Sequence, residues 1–122
     1  MKLDFESEKP IYLQISDQIE DAVFTRAFEE ETQIPSTTEI STAFKINPAT
    51  VLKGMNQLVD NGIIYKKRGV GMFVRKGAQD KIRTKRQQQF FENYVETLIA
   101  EAGKLGITRQ ELVALIERGF EK

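Results

Sequence analysis

The sequence predicts a mainly α fold with one small β-hairpin, and three observations predict it. Apolar residues recur at three- and four-residue spacing in three separate runs before residue 60. An Asn61-Gly62 helix stop is followed by two short β-like runs flanking Gly69-Val70-Gly71. A longer helical pattern then fills residues 80–103, and a last one opens at Thr108.

The first helix is read over 10–26. Pro10 suits the first helical position, where its missing N–H is no loss, and Ile11, Ile15, Ile19, Ala22 and Val23 form one apolar face. Phe24 and Phe28 close the core at its end, and Glu29-Glu30-Glu31 is a polar connector. The second helix starts at Pro35-Ser36-Thr37-Thr38-Glu39. Ser36 and Glu39 make a capping box, in which each side chain satisfies an orphan N–H of the first turn. Ile40, Ala43 and Phe44 supply the inner face of this helix. The third helix has Asn47 as N-cap and Pro48 in its first turn, with Val51, Met55, Leu58 and Val59 following at helical spacing. The hairpin pairs 63–66 with 72–75 around a tip at 67–71.

In the C-terminal part, Phe91, Tyr94, Val95, Leu98, Ala102 and Leu105 keep to one stripe until Gly103 and Gly106 break the helix. Thr108 and Glu111 form a second capping box, and the helix they open carries Leu112, Val113, Leu115 and Ile116.

Composition narrows the function classes. The 122 residues are 40% hydrophobic and 30% charged, too apolar for a disordered chain and too polar for a membrane protein. No apolar run reaches the roughly 18 residues that a spanning helix needs, and no signal-peptide pattern opens the chain. Without Cys or His, thiol catalysis and a structural zinc site drop out, and a cytoplasmic protein with no metal and no cofactor is expected. The net charge is zero, but its distribution is uneven. Residues 1–62 balance at −6, residues 63–86 at +8 (nine basic against one acidic) and residues 87–122 at −2.

Two helices joined tightly around Lys45-Ile46-Asn47 fit a helix-turn-helix, whose second helix enters the DNA major groove by its N-terminal end. A basic hairpin directly after it is a wing. Double-stranded DNA is therefore the expected partner. Ser36 and Thr37 lie at a helix N-terminus suited to a phosphate, and Asn47, Thr50 and Lys53 lie near the start of the recognition helix. Lys66, Lys67 and Arg68 can reach phosphates, with Gly69 and Gly71 letting backbone approach the duplex. An enzyme is not expected. No nucleophile–base pair is present, and the Gly-x-Gly at 69–71 sits in a hairpin rather than between a strand and a helix. A winged helix whose wing binds protein is the alternative reading. The aromatic cluster Phe90, Phe91 and Tyr94 reads as core or dimer packing, since two tail helices have little room for a ligand pocket of roughly 300 Å³.

The phrases PIYLQISDQI (10–19), IPSTTEIS (34–41), INPATV (46–51) and LVDNGIIYKKRGVGMFV (58–74) resemble the N-terminal domain of GntR-type transcription regulators. Asn47-Pro48 and a tail of about forty residues are similar to the short-tailed YtrA subfamily. The resemblance implies a homodimer on a pseudo-palindromic operator, often repressing its own operon. A small-molecule effector is compatible with it but has no signature here. The sequence departs from the pattern at Thr38, Pro48 and Leu52, where many members carry arginine, and in the connector, where residues such as Arg26 and Glu31 replace glycines. Losing arginines removes bidentate guanine readers.

The expected organisation is a winged helix-turn-helix at 1–75, a basic linker at 76–86 and a helical dimerisation tail at 87–122. The stripe Phe91, Tyr94, Val95, Leu98, Ala102 and Leu105 is the expected dimer interface, because no other core is large enough to cover it.

Overall fold

The computed structural model describes residues 1–122, which divide into two compact units, Met1–Thr84 and Lys85–Lys122. The first unit holds α1 (Ile11–Phe24), α2 (Thr37–Phe44), α3 (Pro48–Asp60), the antiparallel strands β1 (Ile64–Lys67) and β2 (Gly71–Val74), and the start of α4 (Ala78–Phe90). The second holds the rest of α4, a π-helical turn at Phe91–Val95, α5 (Glu96–Lys104) and α6 (Arg109–Phe120). No helix is long and apolar enough to cross a membrane.

Ile15, Ile19 and Val23 of α1 and Val51, Met55 and Leu58 of α3 are buried against one another, with Ile40, Ile64 and Val74 closing the core. Each such side chain, fully withdrawn from water, stabilises the fold by about 1.5–3 kcal/mol. The two long helices approach closely because α3 has no side chain at Gly54. A Cβ there would lie 2.7 Å from the Tyr12 carbonyl oxygen. The sequence reading places Pro10 inside α1. It instead stands at the N-cap with extended ψ of 145°, and its carbonyl accepts from the N–H groups of Leu13 and Gln14. On α2 only Ile40 is buried. Ala43 and Phe44, expected on the inner face, are exposed, because an eight-residue helix presents only a narrow stripe to α3.

The connector after α1 does more than link. The Glu31 N–H donates to the Val74 carbonyl, the Val74 N–H to the Thr32 carbonyl and the Ile34 N–H to the Met72 carbonyl, at 2.8–3.0 Å. Gln33 bridges Phe73 in antiparallel fashion, so residues 31–34 lie along the outer edge of β2. To do this the backbone takes left-handed φ at Arg26 (67°) and Glu31 (66°), a region that glycine adopts at least cost. The hairpin ladder runs from Ile64↔Val74 to Lys67↔Gly71, one residue further toward the tip than the sequence suggests, leaving Arg68-Gly69-Val70 as the turn.

The segment 76–86 is helical from Ala78 onward, and Ala78 and Ile82 are buried in the core of the first unit. Its basic composition hides this, because only two of its residues point inward.

In the second unit, the Thr108–Glu111 capping box forms as the sequence predicts, with N–H···O distances of 3.2 and 3.0 Å. The Thr108 N–H, and then the Thr108 hydroxyl, hold the Glu111 carboxyl below its ordinary pKa. The π turn at Phe91–Val95 breaks the straight stripe, since one extra residue in a turn rotates the following side chains by about 100°. Ala102 is buried and Val95 half-buried, whereas Phe91, Tyr94, Leu98 and Leu105 are exposed.

Candidate nucleic-acid interface

The α2–turn–α3 segment is fixed by short-range hydrogen bonds. Ser36 Oγ accepts the Glu39 N–H at 3.0 Å, and Glu39 Oε1 accepts the Ser36 N–H at 3.1 Å. The capping role of Ser36 is therefore filled. Ser36 and Thr37 are half-buried at the mouth of α2, with the Glu39 carboxylate beside them. The turn is made by Lys45 in the left-handed region (φ 54°), and Ser41 Oγ donates to the Ile46 carbonyl at 2.6 Å. Asn47 Oδ1 accepts the Ala49 N–H at 2.8 Å and caps α3. Its exposed amide NH2 is left as a donor.

The faces of α3 follow from its burial. Val51, Gly54, Met55 and Leu58 point inward, so Ala49, Leu52, Lys53, Asn56 and Asp60 form the outward face. Thr50 is half-buried on the flank. Lys53 is exposed, but its ammonium stands 4.1 Å from the Tyr12 ring centroid, a cation–π contact that leans it toward α1. The sequence reading missed Tyr12, Gly54 and Asn56. The first two act through an approach of two helices, and helical spacing alone could have put Asn56 with Leu52 on the outward face.

At the wing, Lys66, Lys67 and Arg68 are exposed. Gly69 has φ of 78° and open space around it, so its role is to turn the chain at the tip. Gly71, with φ of 144°, faces inward: a Cβ there would lie 2.5 Å from Gln33 Nε2, which donates to the Val70 carbonyl at 2.9 Å. Gln33 thus ties the connector to the wing through the space that glycine leaves. Lys67 lies over the Phe73 ring at 5.0 Å, and Phe73 stacks on Tyr65 with centroids 5.8 Å apart. The nine basic residues of 63–86 are spread out rather than massed. Lys66, Lys67 and Arg68 stand at the tip, while Arg75 covers Tyr65 at the hairpin root and Arg83 pairs with Asp80 at 2.6 Å. Desolvation, and then the Glu31 carboxylate that accepts its hydroxyl at 3.2 Å, raise the Tyr65 phenol above its ordinary pKa.

Of the expected tail interface, Val95, Leu98 and Ala102 come together in one groove, whereas Phe91, Tyr94 and Leu105 lie outside it. A groove of about 610 Å³ between α5 and α6 is lined by Val95, Leu98, Ala102 and Ile99, with Leu112 and Ile116 opposite. It is larger than two helices suggest on sequence grounds, and it brings α6 residues to the α5 stripe. Phe90 and Tyr94 pack on each other with centroids 5.3 Å apart. No group of three or more acidic side chains is arranged to hold a metal ion.

The model of the bacterial regulatory proteins of the gntR family matches residues 11–74. The uncharacterized HTH-type transcriptional regulator YhcF of Bacillus subtilis is 30% identical over 115 residues, covering 93% of this chain and 92% of YhcF. The HTH-type transcriptional repressor YtrA of the same organism is 27% identical over 112 residues, covering 92% of this chain and 85% of YtrA. Among solved structures, a transcriptional regulator from Oenococcus oeni superposes with a TM-score of 0.83 at 26% identity, covering 98% of both chains. The DNA-binding domain of AraR in complex with operator ORE1 matches at a TM-score of 0.53 and 26% identity, over 61% of this chain and 93% of that one.

Proposed function

Because the chain belongs to the gntR family of bacterial regulatory proteins and is a DNA-binding transcriptional regulator, we propose that it is a repressor that binds a two-fold operator as a homodimer in the cytoplasm. The observation that carries this reading is the placement of the N-terminal half of α3 beside a hairpin whose tip bears exposed Lys66, Lys67 and Arg68. The same unit resembles the AraR domain crystallised on its operator. In this reading Asn47, Thr50 and Lys53 reach base edges, and Ser36, Thr37, Lys66, Lys67 and Arg68 hold phosphates. Gly69 keeps the wing tip sharp, and Gly71 keeps it tied to Gln33.

The tail supplies the second half of the proposal. Phe91 and Tyr94 are exposed in the π turn and Leu98 on α5, and α6 adds exposed Val113 and Ile116. Apolar surface of this extent is stabilised by a partner, and an isologous contact with a second copy gives the symmetry a palindrome requires. Two copies on a promoter would act by occupancy, blocking polymerase.

Fluorescence anisotropy with the duplex lying upstream of the chain's own gene tests this reading. Binding with Kd near or below roughly 10⁻⁸ M, at least a thousandfold tighter than a scrambled duplex, is the expected result. Equal affinity for both duplexes, or binding to neither at low salt, would overturn it, the second outcome favouring a wing that binds protein.

A further inference from the structure

The outward face of α3 carries an apolar centre. Leu52 is 48% exposed there, with exposed Ala49 one turn before it. The polar groups near them stand to either side: Asn47 caps the helix through its carbonyl oxygen and keeps its amide NH2 as a donor, the Lys53 ammonium leans over Tyr12, Thr50 is half-buried on the flank, and exposed Asn56 lies one turn further on. A recognition helix entering the major groove by its first two turns would therefore press the methyl groups of Ala49 and Leu52 against base edges lying between those that Asn47, Thr50 and Lys53 reach. Of the features displayed in the major groove, only the 5-methyl group of thymine is apolar.

We propose that Leu52, backed by Ala49, is a specificity-determining residue that reads a thymine methyl group in each half-site. The inference rests on the DNA-binding reading above and deepens it: the absence of charge at Leu52 changes which base is read rather than abolishing readout. The same contact excludes cytosine, which presents an N4–H donor and no methyl group at that edge.

The test acts on the DNA, so it needs no altered protein to begin. Full-length chain is used to select binding duplexes from a random-sequence pool, and the preferred duplex is resynthesised with uracil in place of thymine, one position at a time. Uracil keeps every hydrogen-bonding group and removes only the methyl. One thymine per half-site is expected to lose about fourfold in affinity on replacement, the equivalent of one buried methyl group. Leu52→Ala, a change on an exposed face, is expected to weaken the thymine duplex and bring the thymine/uracil ratio at that position close to one. If a specific duplex is recovered but no uracil substitution alters affinity, the methyl reading is overturned and the regulator reading stands. If the uracil effect persists undiminished in Leu52→Ala, the methyl belongs to another residue and the assignment is overturned. If the pool yields no preferred duplex, the DNA-binding reading fails and this inference falls with it.

Discussion

Glu30 and Gly77 stand 47 residues apart in the chain and meet at 2.8 Å, Glu30 Oε1 accepting the Gly77 N–H. Glu30 Oε2 accepts the Gln79 N–H at 3.1 Å, and Gln79 Nε2 donates to the Phe24 carbonyl at 2.9 Å. The connector after α1 thus caps α4 with a carboxylate, where orphan N–H groups and the positive end of the helix dipole favour negative charge. A segment that composition presents as a polar linker fastens α4 to the first unit.

That cap has a pH signature. The hydrogen bond from Gly77, then that from Gln79, lower the Glu30 pKa from its ordinary 4.5. A depressed folded value means that the contribution is fully present above about pH 4.5 and is lost as pH falls through the folded value. Glu30→Ala should destabilise by about 1 kcal/mol at neutral pH, as loss of a helix cap does. Glu30→Gln should flatten the acid limb of the unfolding-midpoint curve below pH 4.5. An acid limb identical to wild type would show that Glu30 does not cap α4 in solution.

Gly54 sets the spacing of α1 and α3. Alanine would gain about 1 kcal/mol of helix propensity at an unconstrained site. Here its Cβ would lie 2.7 Å from the Tyr12 carbonyl oxygen, so the helices must part. Gly54→Ala should be a net destabilisation of about 1–3 kcal/mol, read as a lower denaturant midpoint. An unchanged or raised midpoint would refute the contact.

Lys45 holds a left-handed backbone (φ 54°) between α2 and α3. That conformation costs a non-glycine residue about 1–2 kcal/mol. Lys45→Gly, despite its freer unfolded chain, should raise the thermal midpoint by a few degrees in differential scanning calorimetry. A lower midpoint would mean that the lysine side chain stabilises the turn.

For DNA binding, zero net charge should not prevent a steep salt dependence, because Lys66, Lys67 and Arg68 are clustered at the wing tip. Log K should fall with log salt by about 0.9 for each phosphate contact, and Arg68→Ala should remove about one contact's worth of slope for all sequences alike. Unchanged affinity for every duplex would take the wing out of the interface.

For assembly, replacing Phe91 and Leu98 together by Asp places charge where a second copy would pack. Sedimentation should then show a monomer that keeps the wild-type helical content, with weakened operator binding. A dimer that survives both substitutions would place the interface elsewhere.

What the sequence determined by itself is local. Capping boxes at Ser36–Glu39 and Thr108–Glu111, the Asn47 cap, the helix stop at Asn61-Gly62 and the hairpin around Gly69 all arise from groups within a few residues of each other. Their chemistry is therefore written in spacing, and the order of elements that identifies a winged helix follows. The tertiary structure decided whatever depends on distant segments meeting. It laid 31–34 along the edge of β2 through an isolated bridge at Gln33, and it made a helix anchored by Ala78 and Ile82 out of a basic stretch. It set Gly71 against Gln33 and Gly54 against the Tyr12 carbonyl, and it left Phe44 outside the core. It also decided where the π turn redirects the tail's apolar stripe. Residue type records what a side chain can do, whereas these outcomes depend on which backbone arrives within 3 Å of it, and that is fixed only when the core closes.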